Sequence, residues 1–375
     1  MNFGLTSEQD MIVDTVRDFV EKEIYPTRIP SDAEGAHLVD GVVKVPECLK
    51  GPQQRFYENG WNLLGLPEEY GGTKLPSAVT IACTSLYTGA NVAWSMYPGL
   101  THGAITTINA VGSKELKDNY LPALMDGRFG GTMCLTEPGA GSDVGALKTI
   151  ATANDDGSYN IQGSKIFISS GDNDLYENII HLVLARTPGA QEGTKGLSLF
   201  LVPKLRLNTD GSVGDSNDVT TDKIEEKMGL HAQGTCVLSF GTNNNCKGYI
   251  LGSELAGMAN MFIMMNEARL LCGLQGESQA NLLYELTIQY AEERNQFGVA
   301  LSSHPDIKKT LLKMRAISRG MRALQLYTGN LFDTQNEDAE AERVAAEIQS
   351  RHLRHDIPYR DFAILYRGNH QARLL

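Results

Sequence analysis

Cysteine is scarce in this sequence, and the spacing of its cysteines excludes the common metal-binding patterns. The chain has six cysteines among 375 residues. None forms a Cys-x-x-Cys pair or stands with histidine at the spacing of a zinc site. Three histidines near the end of the chain, His352, His355 and His370, also lack a recognised ligand pattern and are interpreted as surface residues. We therefore expect reduced thiols and no metal centre.

Long apolar runs and excess positive charge are also lacking. No stretch of about 18 apolar residues is present, and residues 1–4 do not begin a basic segment followed by an apolar one. We expect no membrane insertion and a cytoplasmic location. The formal net charge is -12, which repels phosphate backbones, so nucleic acid is not an expected partner.

Hydrophobic residues make up 42% of the chain, which is ordinary for a globular protein. Their pattern divides the chain into segments. A chain of 375 residues exceeds the roughly 250–300 residues at which one hydrophobic core stops growing, so two or three domains are expected. Residues 1–128 predict a helical domain, 129–252 a β-domain, 253–333 a second helical domain and 334–375 a tail of different character. This order predicts an α+β multidomain fold.

Periodicity also predicts individual helices and strands. Residues 7–24 carry apolar side chains at helical spacing, with Ser7 and Asp10 as a start signal and Pro26 as a stop. Further helices are predicted over residues 52–60, 75–88, 104–111, 114–121, 257–298 and 307–331. Strands are predicted over 147–153, 159–162, 165–169, 179–185, 197–202 and 236–240, the first three as a β-meander. The last two helices carry broad apolar stripes that we expect to be incompletely covered.

Several motifs occur in an order that resembles one known family. Residues 133–145 read MCLTEPGAGSDVG, which closely resembles the flavin motif of the acyl-CoA dehydrogenase family. Supporting segments are GLPEEYGG at 65–72, KIFIS at 165–169, KMG at 227–229 and RNQFG at 294–298. The segments YPGLTHG at 97–103, ENIIHLVLAR at 177–186 and GTKGLS at 193–198 resemble the large methylmercaptopropionyl-CoA dehydrogenase-like subgroup. The resemblance covers residues 1 to about 332.

The resemblance implies a fold, a cofactor, a substrate and partners. It implies an N-terminal helical domain, a middle β-barrel domain and a truncated C-terminal helical bundle. It also implies FAD, an acyl-CoA substrate that is dehydrogenated between its α and β carbons, an electron-transfer flavoprotein as electron acceptor, and a homo-oligomer.

The same resemblance implies a set of site residues. Cofactor-binding positions are Met133, Cys134, Leu135, Thr136, Gly141, Ser142, Phe167, Ser169, Arg294, Gln296 and Phe297, of which the last three would face the FAD of a neighbouring subunit. Ser142 and Arg269 would contact the substrate. Taken singly, each has an ordinary alternative: Ser169 could be a strand-end hydroxyl, Arg294 a solvated cation and Phe297 a core aromatic. Their common order over 160 residues favours the functional interpretation.

Dehydrogenation requires a carboxylate to accept the α-proton, and the family's usual carboxylate segment is not found in this sequence. In most of the family this glutamate lies near the C-terminus, and in a minority it precedes the arginine that Arg269 matches. Here that position holds Ala268, and Glu267 is a weak candidate one position further away. The alternative is a catalytically impaired fusion or truncation product that at most binds FAD or acyl-CoA.

The last 40 residues resemble a different family. Residues 336–344 and 359–373 are similar to a fragment of Rep-type DNA helicases, in which Arg367 would belong to a motif near ATP. No GxxxxGK[ST] phosphate loop occurs in the chain, and the tail carries seven acidic and six basic residues. Neither ATP hydrolysis nor DNA binding is therefore expected of the tail alone.

Overall fold

A computed structural model of the chain describes residues 5–73 and 75–334. Its helices are α1 (Ser7–Phe19), α2 (Arg28–Glu34), α3 (Lys50–Glu58), α4 (Ser77–Ala90), α5 (Val92–Val111), α6 (Lys114–Met125), α7 (Gly257–Glu293) and α8 (Pro305–Thr334). Its strands are β1 (His37–Val39), β2 (Val42–Lys44), β3 (Phe129–Cys134), β4 (Ile150–Ala153), β5 (Tyr159–Ser169), β6 (Asn178–Arg186), β7 (Leu197–Pro203), β8 (Leu205–Leu207), β9 (Val213–Ser216), β10 (Val219–Ile224), β11 (Thr235–Phe240), β12 (Lys247–Ile250), β13 (Asn295–Gln296) and β14 (Val299–Ala300). The predicted order of a helical domain, a β-domain and two long helices is confirmed.

The first helix begins at the predicted residue, Ser7, but the residue that caps it lies one position earlier. Thr6, rather than Ser7, caps α1, and its side chain accepts from the amide of Gln9 while Gln9 reaches back to the Thr6 amide. This reciprocal capping satisfies two amides that have no partner within the helix. The chain continues from α1 into a π-helical turn, Val20–Ile24, so the predicted extent of 7–24 is confirmed.

Helix α5 is much longer than predicted, and it forms one wall of the functional site. It starts at Val92, where the side chain of Asn91 accepts from the Trp94 amide. Pro98 lies within it, and Gly99 and Gly103 follow. These residues usually disfavour a helix interior, whereas the predicted helix spans only residues 104–111. Tertiary packing overrides the local preference, since Trp94 and Tyr97 are completely buried.

The middle domain contains a closed ring of strands. Strand β5 pairs with β12, β12 with β7, β7 with β6, β6 with β4, and β4 again with β5. Such a closed order makes a barrel, as the resemblance implied. Strands β11 and β10 extend it beyond β5, and β3 extends it beyond β6. Its interior is filled by apolar side chains that include Ile161, Val183 and Phe200.

Two details of the predicted β-domain are wrong. Residues 159–162 and 165–169 belong to the single strand β5, so the predicted three-strand meander is a two-strand hairpin of β4 and β5. Strand β3 was not predicted, and it pairs in parallel with β6, from Phe129 opposite Asn178 to Cys134 opposite Val183. Parallel pairing joins segments that are distant in sequence, and local patterns do not reveal it.

The loop that follows β5 joins the helical and β-domains. Asp172 accepts a hydrogen bond from the amide of Val43 at 3.2 Å, and Asp174 accepts one from the amide of Val45 at 2.9 Å. Asp172 is fully buried and also accepts from the Thr221 hydroxyl at 2.9 Å. These contacts fix the end of β5, and with it Ser169, relative to the helical domain.

The two long helices leave apolar side chains in contact with solvent, as predicted. Exposed examples are Leu283, Leu286 and Tyr290 on α7, and Leu312, Ile317 and Leu324 on α8.

In the part of the chain that the structure describes, no helix is both long and apolar enough to cross a membrane.

Candidate active site

A cavity of about 420 Å³ lies between the helical domain and the ends of two barrel strands. Its walls include Met133 near the end of β3 and Ser169 at the end of β5. Helices α4, α5 and α7 supply most of the remaining walls, with Thr84, His102 and Leu271 among the lining residues. The flavin-motif strand therefore opens directly onto a mostly helical pocket.

Two glycines allow α5 and α7 to approach each other beside this cavity. A Cβ atom at Gly103 would lie 2.9 Å from the Met264 Cγ and 3.5 Å from the Glu267 Oε2, and one at Gly99 would lie 3.3 Å from the Leu271 Cδ1. The first of these distances is shorter than any normal contact. The spacing of Gly99 and Gly103, one helical turn apart, thus brings side chains of α7 next to α5.

The flavin-motif loop follows β3 and presents its backbone rather than most of its side chains. Cys134 is fully buried among apolar residues, and this burial raises the pKa of its thiol to about 12. Leu135 is also buried, whereas Gly141 and Ser142 are exposed. An added Cβ at Gly141 would meet nothing closer than the Thr136 Cγ2 at 3.7 Å, so a ligand can reach the main chain there. A ligand at this loop could therefore contact Cys134 and Leu135 only through their backbone atoms.

A buried ion pair supports the underside of this loop. The Lys165 Nζ donates to the Glu137 Oε1 at 2.9 Å and to the Leu135 carbonyl at 3.0 Å. Glu137 also accepts from the amides of Lys148 and Thr149, at 2.6 and 3.0 Å. Burial alone would raise the pKa of Glu137, but Lys165 and these donors hold it below its ordinary value. The pair fixes the loop to β5.

Strand β5 places an aromatic ring beside the loop. The Phe167 backbone has a φ of 59°, and its side chain is 60% exposed. A bulky residue rarely adopts this left-handed conformation, and here it occurs where the register of β5 and β11 shifts. The neighbouring Ile166 amide donates to the Thr136 carbonyl at 2.9 Å. Phe167 and the loop at residues 133–142 therefore form one accessible surface.

Of the predicted site residues, Met133, Ser169 and Glu267 line the cavity, and the others do not. Arg294, Gln296 and Phe297 lie on the β13–β14 hairpin after α7, and all three are exposed. Phe297 is 96% exposed with a φ of 55°. Arg269 lies on α7, where its Nη1 donates to the Asn266 Oδ1 at 3.2 Å.

Glu267 contributes a carboxylate to the cavity wall, and it is held by a residue to which the sequence assigned no role. The His102 Nδ1 lies 3.2 Å from the Glu267 Oε2, and each side chain is 31% exposed. Burial lowers the pKa of His102, but the charge and hydrogen bond of Glu267 outweigh that effect and raise it above its ordinary value. His102 belongs to the YPGLTHG segment, but only the long form of α5 shows that it faces α7.

Comparison with known proteins agrees with this arrangement. Profiles of the acyl-CoA dehydrogenase N-terminal, middle and C-terminal domains match residues 6–128, 132–242 and 256–357. The chain belongs to the acyl-CoA dehydrogenase family. The expected helicase resemblance of residues 336–375 is not supported, since the C-terminal acyl-CoA dehydrogenase profile continues to residue 357. That segment lies outside the described residues.

Individual members of the acyl-CoA dehydrogenase family show the same relationship. The chain is 40% identical to a 3-methylmercaptopropionyl-CoA dehydrogenase of Ruegeria pomeroyi, over 89% of this chain and 58% of that protein. It is 39% identical to a butyryl-CoA dehydrogenase of Syntrophomonas wolfei, over 84% of this chain and 54% of that protein. It therefore spans little more than half the length of these relatives.

A solved structure extends the comparison to the fold. An acyl-CoA dehydrogenase from Bacillus anthracis, crystallised in complex with FAD, superposes with a TM-score of 0.73 at 26% identity. The match covers 88% of this chain and 52% of that one. The order of helical, barrel and helical domains is thus shared with the family.

Proposed function

We propose that this chain binds FAD and introduces a double bond between the α and β carbons of an acyl-CoA. The cavity carries the proposal, because Met133 of the flavin-motif strand, Ser169 of β5 and Glu267 of α7 line the same space. When bound, FAD supplies the acceptor for the hydride that leaves the β carbon. The acyl chain would occupy the part of the cavity between α4, α5 and α7.

The residues beside the cavity fit FAD. The open main chain at Gly141, the exposed Ser142 and the exposed ring of Phe167 offer amide donors, a hydroxyl and an apolar face. A flavin nucleotide requires these groups for its phosphates and its planar ring. Met133, Cys134, Leu135 and Thr136 would line the ring through their backbone, and Ser169 would lie near its reactive edge.

Glu267 is the proposed proton acceptor. Among the described residues that line the cavity, it carries the one carboxylate. The proton of the α carbon would pass to its carboxylate as the hydride leaves the β carbon, and the electron pair of the α C–H bond would form the double bond. Replacing Glu267 with Gln is expected to slow flavin reduction on the order of 10²- to 10⁴-fold.

The partners and the location follow from the same resemblance. Arg269 and Ser142 would contact the CoA portion of the substrate. The exposed Arg294, Gln296 and Phe297 would reach the FAD of another subunit in a homo-oligomer. An electron-transfer flavoprotein would reoxidise the flavin, and the reaction would take place in the cytoplasm.

Flavin absorbance tests this proposal directly. The purified protein should be yellow, and anaerobic addition of butyryl-CoA or 3-methylmercaptopropionyl-CoA should bleach the visible absorption band of the oxidised flavin. Colourless protein that takes up no added FAD would contradict the proposal. The Glu285→Gln variant, altered at an exposed carboxylate of the same helix, is the matched control for Glu267→Gln.

A second candidate is a catalytically impaired protein that binds FAD or acyl-CoA without oxidising it. Ala268 favours it, because this position holds the glutamate in a minority of the family, and Glu267 is displaced by one residue along α7. Yellow protein that binds an acyl-CoA but is not reduced by it would support this alternative.

A further inference from the structure

His102 and Glu267 lie on two different helices, and the packing of those helices fixes their separation. His102 lies on α5 and Glu267 on α7. The helices approach closely at Gly103, directly after His102, where an added Cβ would contact both Met264 and Glu267. Met264 is 1% exposed, so it has little freedom to move. The packing of α5 against α7 therefore sets the 3.2 Å distance between the His102 Nδ1 and the Glu267 Oε2.

The surroundings of the ring determine which of its nitrogens face which groups. The Nδ1 atom faces Glu267, and the Nε2 atom is buried without a hydrogen-bond partner among the described residues. The backbone carbonyl of Leu64 raises the pKa of His102, as Glu267 does, and so favours the protonated ring. Among the described residues, Glu267 is the charged group whose charge shifts the pKa of His102.

We propose that His102 is a positioning residue for the proton acceptor, in that its Nδ1–H holds one oxygen of Glu267 and fixes the carboxylate at the cavity wall. This inference rests on the function proposed above. With the Oε2 occupied by His102, the Oε1 has no hydrogen bond to a described residue and is the oxygen that can accept the substrate proton. A carboxylate without this support would rotate away from the acyl group or be solvated by water.

The pairing itself is tested first, without flavin or turnover. In histidine-labelled protein, NMR should show a ring that titrates above the usual value of about 6.5. Glu267→Gln should lower that pKa, and Glu285→Gln should not. His102→Asn identifies the signal. A His102 signal that titrates at the same pH in wild type and Glu267→Gln overturns the proposal.

Rapid anaerobic mixing of the FAD-loaded enzyme with butyryl-CoA tests the consequence. His102→Phe should lower the limiting rate of flavin reduction on the order of 10²-fold, because small displacements of a catalytic group have effects of that size. His102→Asn retains a side-chain donor and should recover part of the rate. Binding of crotonyl-CoA, the product, should be nearly unchanged in both variants, since the proposal concerns the proton acceptor rather than affinity.

The outcomes separate the two proposals. Unchanged reduction rates in both His102 variants overturn the positioning role while leaving the dehydrogenase function intact. Reduction by wild type that is equally fast in Glu267→Gln shows that the proton acceptor lies elsewhere, which also overturns the positioning role. Absence of reduction in wild type contradicts the proposed function and, with it, the role of His102 as support for a proton acceptor, whereas the NMR titration would still report the pairing.

Discussion

His181 is an uncharged histidine enclosed in the β-domain. It is fully buried, its Nδ1 lies 2.7 Å from the Thr132 hydroxyl, and its ring packs edge-on against Phe240 with centroids 5.7 Å apart. Burial, reinforced by the charge of Lys204, lowers its pKa to about 3. The folded protein therefore resists a proton that the unfolded chain binds at about pH 6.5.

This difference predicts a loss of stability in acid. The contribution of His181 is fully present above about pH 6.5 and falls as the pH decreases toward about 3, with a slope of up to about 1.4 kcal/mol per pH unit. His181→Asn, which cannot titrate, should reduce the slope of unfolding free energy against pH. Urea unfolding at several pH values in this range measures both slopes, and identical slopes would contradict the prediction.

At the scale of single residues, the sequence motifs indicate candidate flavin-binding positions but do not indicate the partner of Glu267. The motif positions are contiguous, so their order alone carries information. His102 and Glu267 are separated by 165 positions, and their contact depends on a helix crossing. Sequence periodicity does not specify which helices cross, and Pro98 with Gly99 obscured the helix that carries His102.

Among the elements, the α5–β3 contact depends on a glycine in the strand. A Cβ atom at Gly131 would lie 2.4 Å from the Ala104 Cβ and 3.3 Å from the Thr101 Cα. Neither atom can move without a shift of α5. The amide of Gly131 also donates to the Thr101 hydroxyl at 3.1 Å, so strand and helix are joined by both packing and a hydrogen bond.

We expect Gly131→Ala to destabilise the protein by about 1–3 kcal/mol through overpacking. Gly276→Ala is the control, because nothing lies within 4 Å of the added Cβ and alanine stabilises a helix interior by roughly 0.5–1 kcal/mol relative to glycine. Urea unfolding followed by circular dichroism measures both. Equal midpoints for Gly131→Ala and wild type would show that α5 is free to shift.

Most helices could be predicted from the sequence, but many strands could not, and β3 shows one physical cause. Local sequence patterns are enough to predict the amphipathic helix α1 and the strands of alternating polarity. They do not predict strand β3, because its sequence FGGTMC contains two adjacent glycines and its partner β6 begins about fifty residues later, at Asn178. Long-range pairing and burial determine this strand, as they determine the length of α5.

For the molecule as a whole, the exposed face of α7 is expected to drive self-association. Leu283, Leu286 and Tyr290 lie on one side of the helix and are 58%, 37% and 59% exposed. Contiguous apolar surface of this kind usually marks an interface.

Replacing Leu283 with Glu should therefore shift the apparent mass toward that of a single 40.9 kDa chain. Sedimentation velocity over a range of protein concentrations measures the shift. Ile29→Glu is the control, since Ile29 on α2 is 67% exposed but lies away from this face. Equal dissociation by both variants, or by neither, would exclude α7 as the interface.

The β1–β2 hairpin acquires two of its hydrogen-bond partners late in protein synthesis. The amides of Val43 and Val45 bond to carboxylates 129 residues further along the chain. At roughly 5–20 residues per second, the ribosome needs on the order of ten seconds to deliver them. Protease digestion of stalled ribosomal complexes would detect the change, with the hairpin protected in chains that extend well beyond residue 174 and cleaved in shorter ones. During this interval the hairpin lacks these two hydrogen bonds, and a chaperone could bind it.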